Sequence, residues 1–140
     1  MSDELKNMGF PQDKIRVCWN GVDPNKYDPQ SISFKERIKF RQRHGVSDNE
    51  NLLFFIGRLV TVKGVDNLIR AMPGILEEFP NTKLLILGIG DMENQLRSLV
   101  DELGLKEKII LRTEFVSEEE RILHSAAADI VVLPSPYDPF

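Results

Sequence analysis

The chain has few of the residues from which small proteins build staples. Cysteine occurs once, at position 18. A single thiol makes no internal disulfide and no thiolate metal site, which fits a reducing compartment and leaves Cys18 as a small apolar filler, expected in a strand. Histidine occurs twice, His44 near one helix end and His124 on another helix, with no ligand cluster around either, so both read as structural. There is no Asp-x-Asp triplet, so nothing in the sequence calls for a divalent metal. No run approaches the ~18 apolar residues of a membrane-spanning helix, and the N-terminus lacks the apolar core of a secretory signal. Positive charge is not in excess: the net charge is −4 and the isoelectric point near 5.2. That balance argues against a nucleic-acid coat or a membrane-hugging surface, while a local basic patch for one anionic ligand stays open. Internal repeats and low-complexity tracts are absent as well.

What is present is an ordinary globular composition over 140 residues, 41% hydrophobic and 29% charged, long enough for one domain with its own core. From Leu52 onward, short apolar runs alternate with helical patterns. Leu52 to Ile56, Leu84 to Leu87, Ile109 to Leu111 and Ile130 to Leu133 read as strands, closed by Gly57, Gly88, the loop after Leu111, and Pro134. Between them, Val65, Leu68, Ile69, Met72, Ile75, Leu76 and Phe79 form one amphipathic stripe, which Pro73 should kink. Met92, Leu96, Leu99, Val100 and Leu103 form the next, stopped by Gly104. Ser117 with Glu120 and Ser33 with Glu36 are capping boxes. Residues 2–9 suggest a short helix, 15–19 a strand and 23–33 a loop or linker. The alternating cations Lys35, Arg37, Lys39, Arg41 and Arg43, interrupted by Ile38 and Phe40, read as a solvated helix rather than a lipid contact.

Short, continuously apolar strands spaced by helices imply an α/β fold, a doubly wound, Rossmann-like parallel sheet covered on both faces. Ligands of such sheets sit at the carboxyl ends of the strands, so the loops 57–64, 88–91, 112–117 and 134–140 are the ones to read. In the first, Gly57 lets a ligand approach the backbone, and Arg58, Lys63 and the following helix N-terminus favour an anion such as a diphosphate. Two solvated surface cations are the plainer reading of the same residues. The turn Gly88-Ile89-Gly90 invites a dinucleotide fingerprint, with Glu114 as the ribose acid, but Glu93 stands where the third glycine is required.

Five segments in order resemble the C-terminal domain of family 4 glycosyltransferases, retaining enzymes of the GT-B fold. Asn20-Gly21-Val22-Asp23 is similar to the segment that leads into that domain. Gly57-Arg58-Leu59 with Lys63-Gly64, continued by Leu68-Ile69-Arg70-Ala71, resembles its G-R-L…K-G segment. Leu87-Gly88-Ile89-Gly90 resembles its G-x-G turn near the donor. Ala128-Asp129-Ile130 and Pro134-Ser135-Pro136-Tyr137-Asp138-Pro139-Phe140 resemble its A-D-V…P-S-x-x-E-P-F-G segment.

The resemblance implies that residues 1–27 are the last helix and strand of an N-terminal domain with the interdomain linker. Residues 28–140 would be the nucleotide-sugar-binding domain, incomplete at its C-terminus. Gly57, Arg58 and Lys63 would bind the donor diphosphate, with Arg58 and Lys63 stabilising the leaving charge. Phe115 and Val116 would line the nucleobase pocket. Asp138, Pro139 and Phe140 would meet the donor sugar, Asp138 replacing the first glutamate of the E-x(7)-E motif with a shorter arm. Glu114 stands where the family usually has glycine, which would make the pocket wall more polar or more acidic. The implied activity is hexosyl transfer from a UDP-, GDP- or ADP-sugar to a saccharide, lipid-linked or small-molecule acceptor held by the N-terminal domain, with no cofactor. The isolated fragment would be inactive. A cytoplasmic location follows, with peripheral contact at the inner membrane face left open for the full-length protein. Another GT-B enzyme, an epimerase or a phosphorylase, or a non-catalytic nucleotide-binding relative remains the alternative; fold alone does not separate these.

Overall fold

The apolar runs become the strands Asn51–Ile56 (β1), Thr82–Leu87 (β2), Ile109–Arg112 (β3) and Ile130–Val131 (β4) in a computed structural model that describes residues 2–18 and 21–136. They form one parallel sheet in the order β3-β2-β1-β4. Leu53 lies opposite both Leu84 and Ile130, and Leu84 opposite Ile109, so the apolar centres of all four strands are in register.

Alternation along the strands divides the core in two. Leu53 and Phe55 of β1, with Leu84 and Ile86 of β2, face the helices Val65–Glu78 (α3) and Glu93–Glu102 (α4). Leu52, Phe54, Leu85 and Leu87 point the other way, toward Phe40 and Val46 and the helix Glu118–Ala127 (α5). Phe40 belongs to the helix Phe34–Arg43 (α2); a short helix Ser2–Asn7 (α1) precedes it. Helices thus cover both faces, as a run of uninterrupted apolar strands requires. Each fully buried Leu, Ile or Phe contributes about 1.5–3 kcal/mol over its exposed state.

The helix ends follow local chemistry. The Ser33 hydroxyl accepts from the Glu36 amide at 3.3 Å, and the Glu36 carboxylate accepts from the Ser33 amide at 3.0 Å. Ser117 and Glu120 make the same reciprocal pair, both at 3.2 Å. α4 ends where Gly104 takes the left-handed region, φ +67°, and the Leu105 amide turns back to the Val100 carbonyl at 2.9 Å. α3 runs on through Pro73, with Met72 before it and Ile75 and Leu76 after it on the same core.

The cationic helix is less solvated than its alternation suggests. Arg41 is only 9% exposed. Its guanidinium donates to the Ala127 carbonyl and to Asp129 Oδ2, each at 3.0 Å, and to the Glu50 carbonyl. Asp129 in turn accepts from the Leu52 amide at 2.7 Å. One arginine therefore clamps α2 to the entry of β1 and the end of α5.

The expected strand over 15–19 does not form among the described residues. Ile15 is extended, φ −94° and ψ 125°, but residues 15–18 pair with no strand, because extended backbone becomes a strand only beside a partner ladder. Cys18 is accordingly exposed rather than a filler. Asp23 opens an Asx turn onto the Asn25 amide at 2.9 Å. The linker then lies against α5, where Glu118 accepts from Lys26 Nζ at 2.6 Å and from the Tyr27 hydroxyl at 2.9 Å.

Candidate functional site

Three of the loops that leave the carboxyl ends of the sheet are stitched together by backbone hydrogen bonds. The Gly57 amide donates to the Leu87 carbonyl at 3.1 Å, and Gly88 to Arg112 at 3.0 Å. Leu59 donates to Ile89 at 3.0 Å, and Met92 to Leu59 at 3.1 Å. The parallel ladder thus continues past the strand ends into the loops.

The closeness explains the glycines. A Cβ on Gly88 would stand 1.8 Å from the Gly57 carbonyl oxygen, and one on Gly90 would stand 2.2 Å from the Leu59 oxygen. Both contacts are with backbone, which no rotamer change relieves. Gly64, at φ +62°, is the uncapped start of α3; its Cβ would meet the Pro134 oxygen at 2.5 Å.

Beside these turns lies a cleft of ≈ 650 Å³ whose wall includes Gly57, Arg58, Gly88, Glu114, Phe115 and Val116. The sequence reading named all six, and the fold brings them to one place from three loops. Arg58 is exposed, and Phe115 is 93% exposed, an aromatic face held out on the rim. Lys63 ends a 3-10 turn, Thr61–Lys63, and does not line this cleft. Its neighbour Gly64 packs on Pro134 and Pro136, the start of the segment expected to carry the sugar contacts. Gly90 sits under Leu59 in the stitched turn rather than on the cleft wall. Asp138, Pro139 and Phe140 lie outside the described residues.

Two further residues of the wall extend the reading, one within the anticipated 88–91 turn and one outside every anticipated segment. Ile89, between the two glycines, is exposed and lines the cleft. Arg121, from the first turns of α5, brings a second cation to it. The signal for Arg121 was its place just after the Ser117 cap, which carries helix residues back over the 112–117 loop.

Glu93 decides against a dinucleotide fingerprint. It lies in the first turn of α4 and accepts from the Thr113 hydroxyl at 2.9 Å and from Arg97 at 2.9 and 3.1 Å. The Thr113 hydrogen bond, then Arg97, holds its carboxyl below the usual carboxylate range. The position that the fingerprint gives to its third glycine thus carries a side chain committed to Thr113 and Arg97. Among the described residues no three His, Cys, Asp or Glu side chains are grouped to hold a metal, and no helix is long and apolar enough to cross a membrane.

A parallel sheet covered by helices, with a glycine-lined, arginine-bearing cleft at its carboxyl edge, defines an open α/β domain of the kind that takes ligands at its strand ends. The sequence model of the family described as Glycosyl transferases group 1 matches residues 36–140, and the chain belongs to that family. It is 43% identical, over 93% of its length and 33% of the relative's, to an uncharacterized glycosyltransferase of Methanocaldococcus jannaschii. It is 33% identical, over 81% of its length and 28% of the relative's, to the GDP-mannose-dependent alpha-(1-6)-phosphatidylinositol monomannoside mannosyltransferase of Mycolicibacterium smegmatis. The fold matches an Anabaena protein, HepE, solved in complex with UDP, with a TM-score of 0.81 and 24% identity over 99% of this chain and 37% of that one. The architecture is the GT-B one, and the chain spans about a third of the length of the relatives it matches.

Proposed function

We propose that this chain is the donor-binding part of a retaining glycosyltransferase, taking a nucleoside-diphosphate sugar and presenting it to an acceptor held elsewhere in a longer protein. The observation that carries the reading is Arg58, set beside Gly57 in a cleft that also holds Phe115 and Val116. A diphosphate against the Gly57 turn would accept hydrogen bonds from the Arg58 guanidinium, with the base toward Phe115. Lys63 would act from the neighbouring turn. Asp138, Pro139 and Phe140 are assigned to the donor sugar through the family resemblance.

In the transfer step the bond between the anomeric carbon and the diphosphate oxygen breaks. The electron pair leaves with the diphosphate, and the acceptor hydroxyl oxygen forms the new bond to the anomeric carbon while its proton passes to the departing diphosphate. Arg58 and Lys63 stabilise the negative charge that grows on the leaving group, so the cations of the chain itself serve where a metal would otherwise be needed. A cytoplasmic location fits a donor made inside the cell.

The related proteins named above use or bind two different bases, GDP-mannose in one and UDP in another, so the base is not inherited from the family. Calorimetric titration of the 140-residue chain with nucleoside diphosphates tests the reading. Arg58→Ala is expected to weaken binding by about ten- to a hundredfold, as loss of a charge-assisted contact does. Lys63→Ala is expected to weaken it too, more at low salt than at high. No sugar transfer is expected, because an acceptor has to be aligned against the donor in a closed cleft. Affinity indifferent to both substitutions would remove the diphosphate assignment.

A further inference from the structure

Glu114 is the departure from the family pattern that the fold places in the cleft, and its surroundings give it a definite chemistry. Its Oε1 pairs with the Arg112 guanidinium, and the same guanidinium donates through its other terminal nitrogen to His44 Nε2. His44 is itself fixed: Nδ1 lies 2.9 Å from the Phe40 carbonyl, so Nδ1 carries the proton and Nε2 offers the lone pair that Arg112 meets. A half-exposed glutamate at the end of β3 is thus anchored through β3 to α2. An exposed carboxylate without such support would sample many positions and read nothing.

Building on the donor-cleft reading, we infer that Glu114 makes this cleft select guanine, so that the donor is a GDP-sugar. A carboxylate is acceptor-only and offers about four lone-pair positions; the ion pair with Arg112 engages one oxygen and leaves capacity for a ligand. Guanine presents two adjacent donors, N1–H and the N2 amino group, which a carboxylate accepts together. Uracil presents one N–H between two carbonyl oxygens, and both carbonyls would face the carboxylate. Adenine and cytosine each put a ring-nitrogen acceptor beside their amino group. Only guanine meets the carboxylate without opposing a lone pair to it.

The rest of the wall agrees. Arg121 brings a guanidinium to the same cleft, a match for the O6 and N7 acceptors on guanine's other edge. Phe115 offers an exposed ring on which a base can stack, which adds affinity for any base and selects none. Selection therefore falls to the charged pair, and within it to Glu114, since an arginine alone also suits the carbonyls of uracil.

The test is calorimetric titration of the chain with GDP, UDP, ADP and CDP, using wild type, Glu114→Gln, Glu114→Gly and Arg58→Ala. Thermal melts confirm that the variants fold, which an exposed position makes undemanding. GDP is expected to bind about tenfold or more tighter than the other three. Both Glu114 variants should lose most of that preference, GDP affinity falling about tenfold while UDP affinity rises as the opposing carboxylate is removed. Equal binding of all four diphosphates, still weakened by Arg58→Ala, would overturn guanine selection and leave the donor cleft standing. A GDP preference unmoved by either Glu114 variant would assign the selection elsewhere and overturn the inference as well. Failure of every diphosphate to bind, or indifference to Arg58→Ala, would instead remove the donor-cleft reading and this inference with it.

Discussion

His44 and His124 meet edge to face, with ring centroids 5.6 Å apart and Phe40 packed against both rings. Each lies close to the carbonyl four residues before it, Phe40 at 2.9 Å and Glu120 at 2.6 Å, so each carries its proton on Nδ1. The resulting bare Nε2 has opposite fates. That of His44 receives Arg112, whereas that of His124 is buried with no hydrogen-bond partner among the described residues.

An acid-sensitive stability follows. Burial, then the nearby His44 and Arg112, lowers the His124 pKa, against the opposing pull of the Glu120 carbonyl. The unfolded chain accepts a proton near the ordinary value of about 6.5, while the folded chain resists it. This contribution to stability is therefore complete above about pH 6.5 and is lost as the pH falls from there toward the depressed folded value. Urea midpoints measured from pH 7.5 to 5.5 should fall, and His124→Phe, which keeps an aromatic ring against Phe40 and Phe54, should flatten the slope. Identical slopes for the two proteins would contradict this account.

Gly88→Ala and Gly104→Ala should separate site geometry from backbone preference. At Gly88 the added methyl meets the Gly57 carbonyl oxygen at 1.8 Å, so the two loops must part. The expected cost is about 1–3 kcal/mol, together with loss of nucleoside diphosphate binding. At Gly104 nothing lies within 4 Å, and only the positive φ of +67° penalises alanine, by about 1–2 kcal/mol. Nucleotide affinity there should be unchanged; equal loss of binding in both would refute the loop-contact argument.

Arg41 offers a test of the scaffold alone. Arg41→Ala strands the Ala127 and Glu50 carbonyls and removes one of two partners of Asp129, which keeps the Leu52 amide and is itself half-exposed. A loss of about 3 kcal/mol is expected in urea unfolding. Arg41→Lys should recover little of it, because one ammonium cannot span three acceptors set apart in a fork. Full recovery by lysine would mean that charge, not geometry, holds the clamp.

The linker contact on α5 should open in acid. Lys26, then Tyr27, holds the Glu118 carboxyl below the usual carboxylate range. A carboxylate with a depressed folded value keeps its contribution above its ordinary pKa and loses it as the pH falls through the depressed one. The Tyr27 amide, bonded to the Asp23 carbonyl at 3.3 Å, should exchange faster in Glu118→Gln at neutral pH than in wild type. Unchanged exchange would show that the linker is held by something else.

Much of this was legible in residues 52–133 because β1 and β2 are uninterrupted apolar runs, buried on both faces and closed by glycine. The run 130–133 was read too long, and β4 is only Ile130–Val131, an exposed edge strand. The capping boxes at Ser33 and Ser117 were equally readable, since both partners lie within one turn. Residues 15–18 misled because a strand pattern states a preference for extension and says nothing of a neighbour to pair with. The Arg41 clamp and the His44–His124 contact were hidden for a related reason: each joins segments from opposite ends of the chain, and no local pattern encodes that meeting. Gly57, Arg58, Gly88, Phe115 and Val116 line one cleft, as the order of the motifs along the chain had grouped them. Arg121 was signalled only by its place one turn after the Ser117 cap.

The stitching of the loops at Gly57, Gly88 and Leu59 has an evolutionary consequence. Their course is dictated by amide-to-carbonyl pairing and by the absence of side chains at the tight crossings, not by the residues that point into the cleft. Positions such as Arg58, Glu114 and Phe115 can then be exchanged one at a time while the loops keep their path. On the guanine-selection reading, replacing Glu114 changes which base is preferred, while Arg58 and Phe115 serve any donor and the architecture is retained.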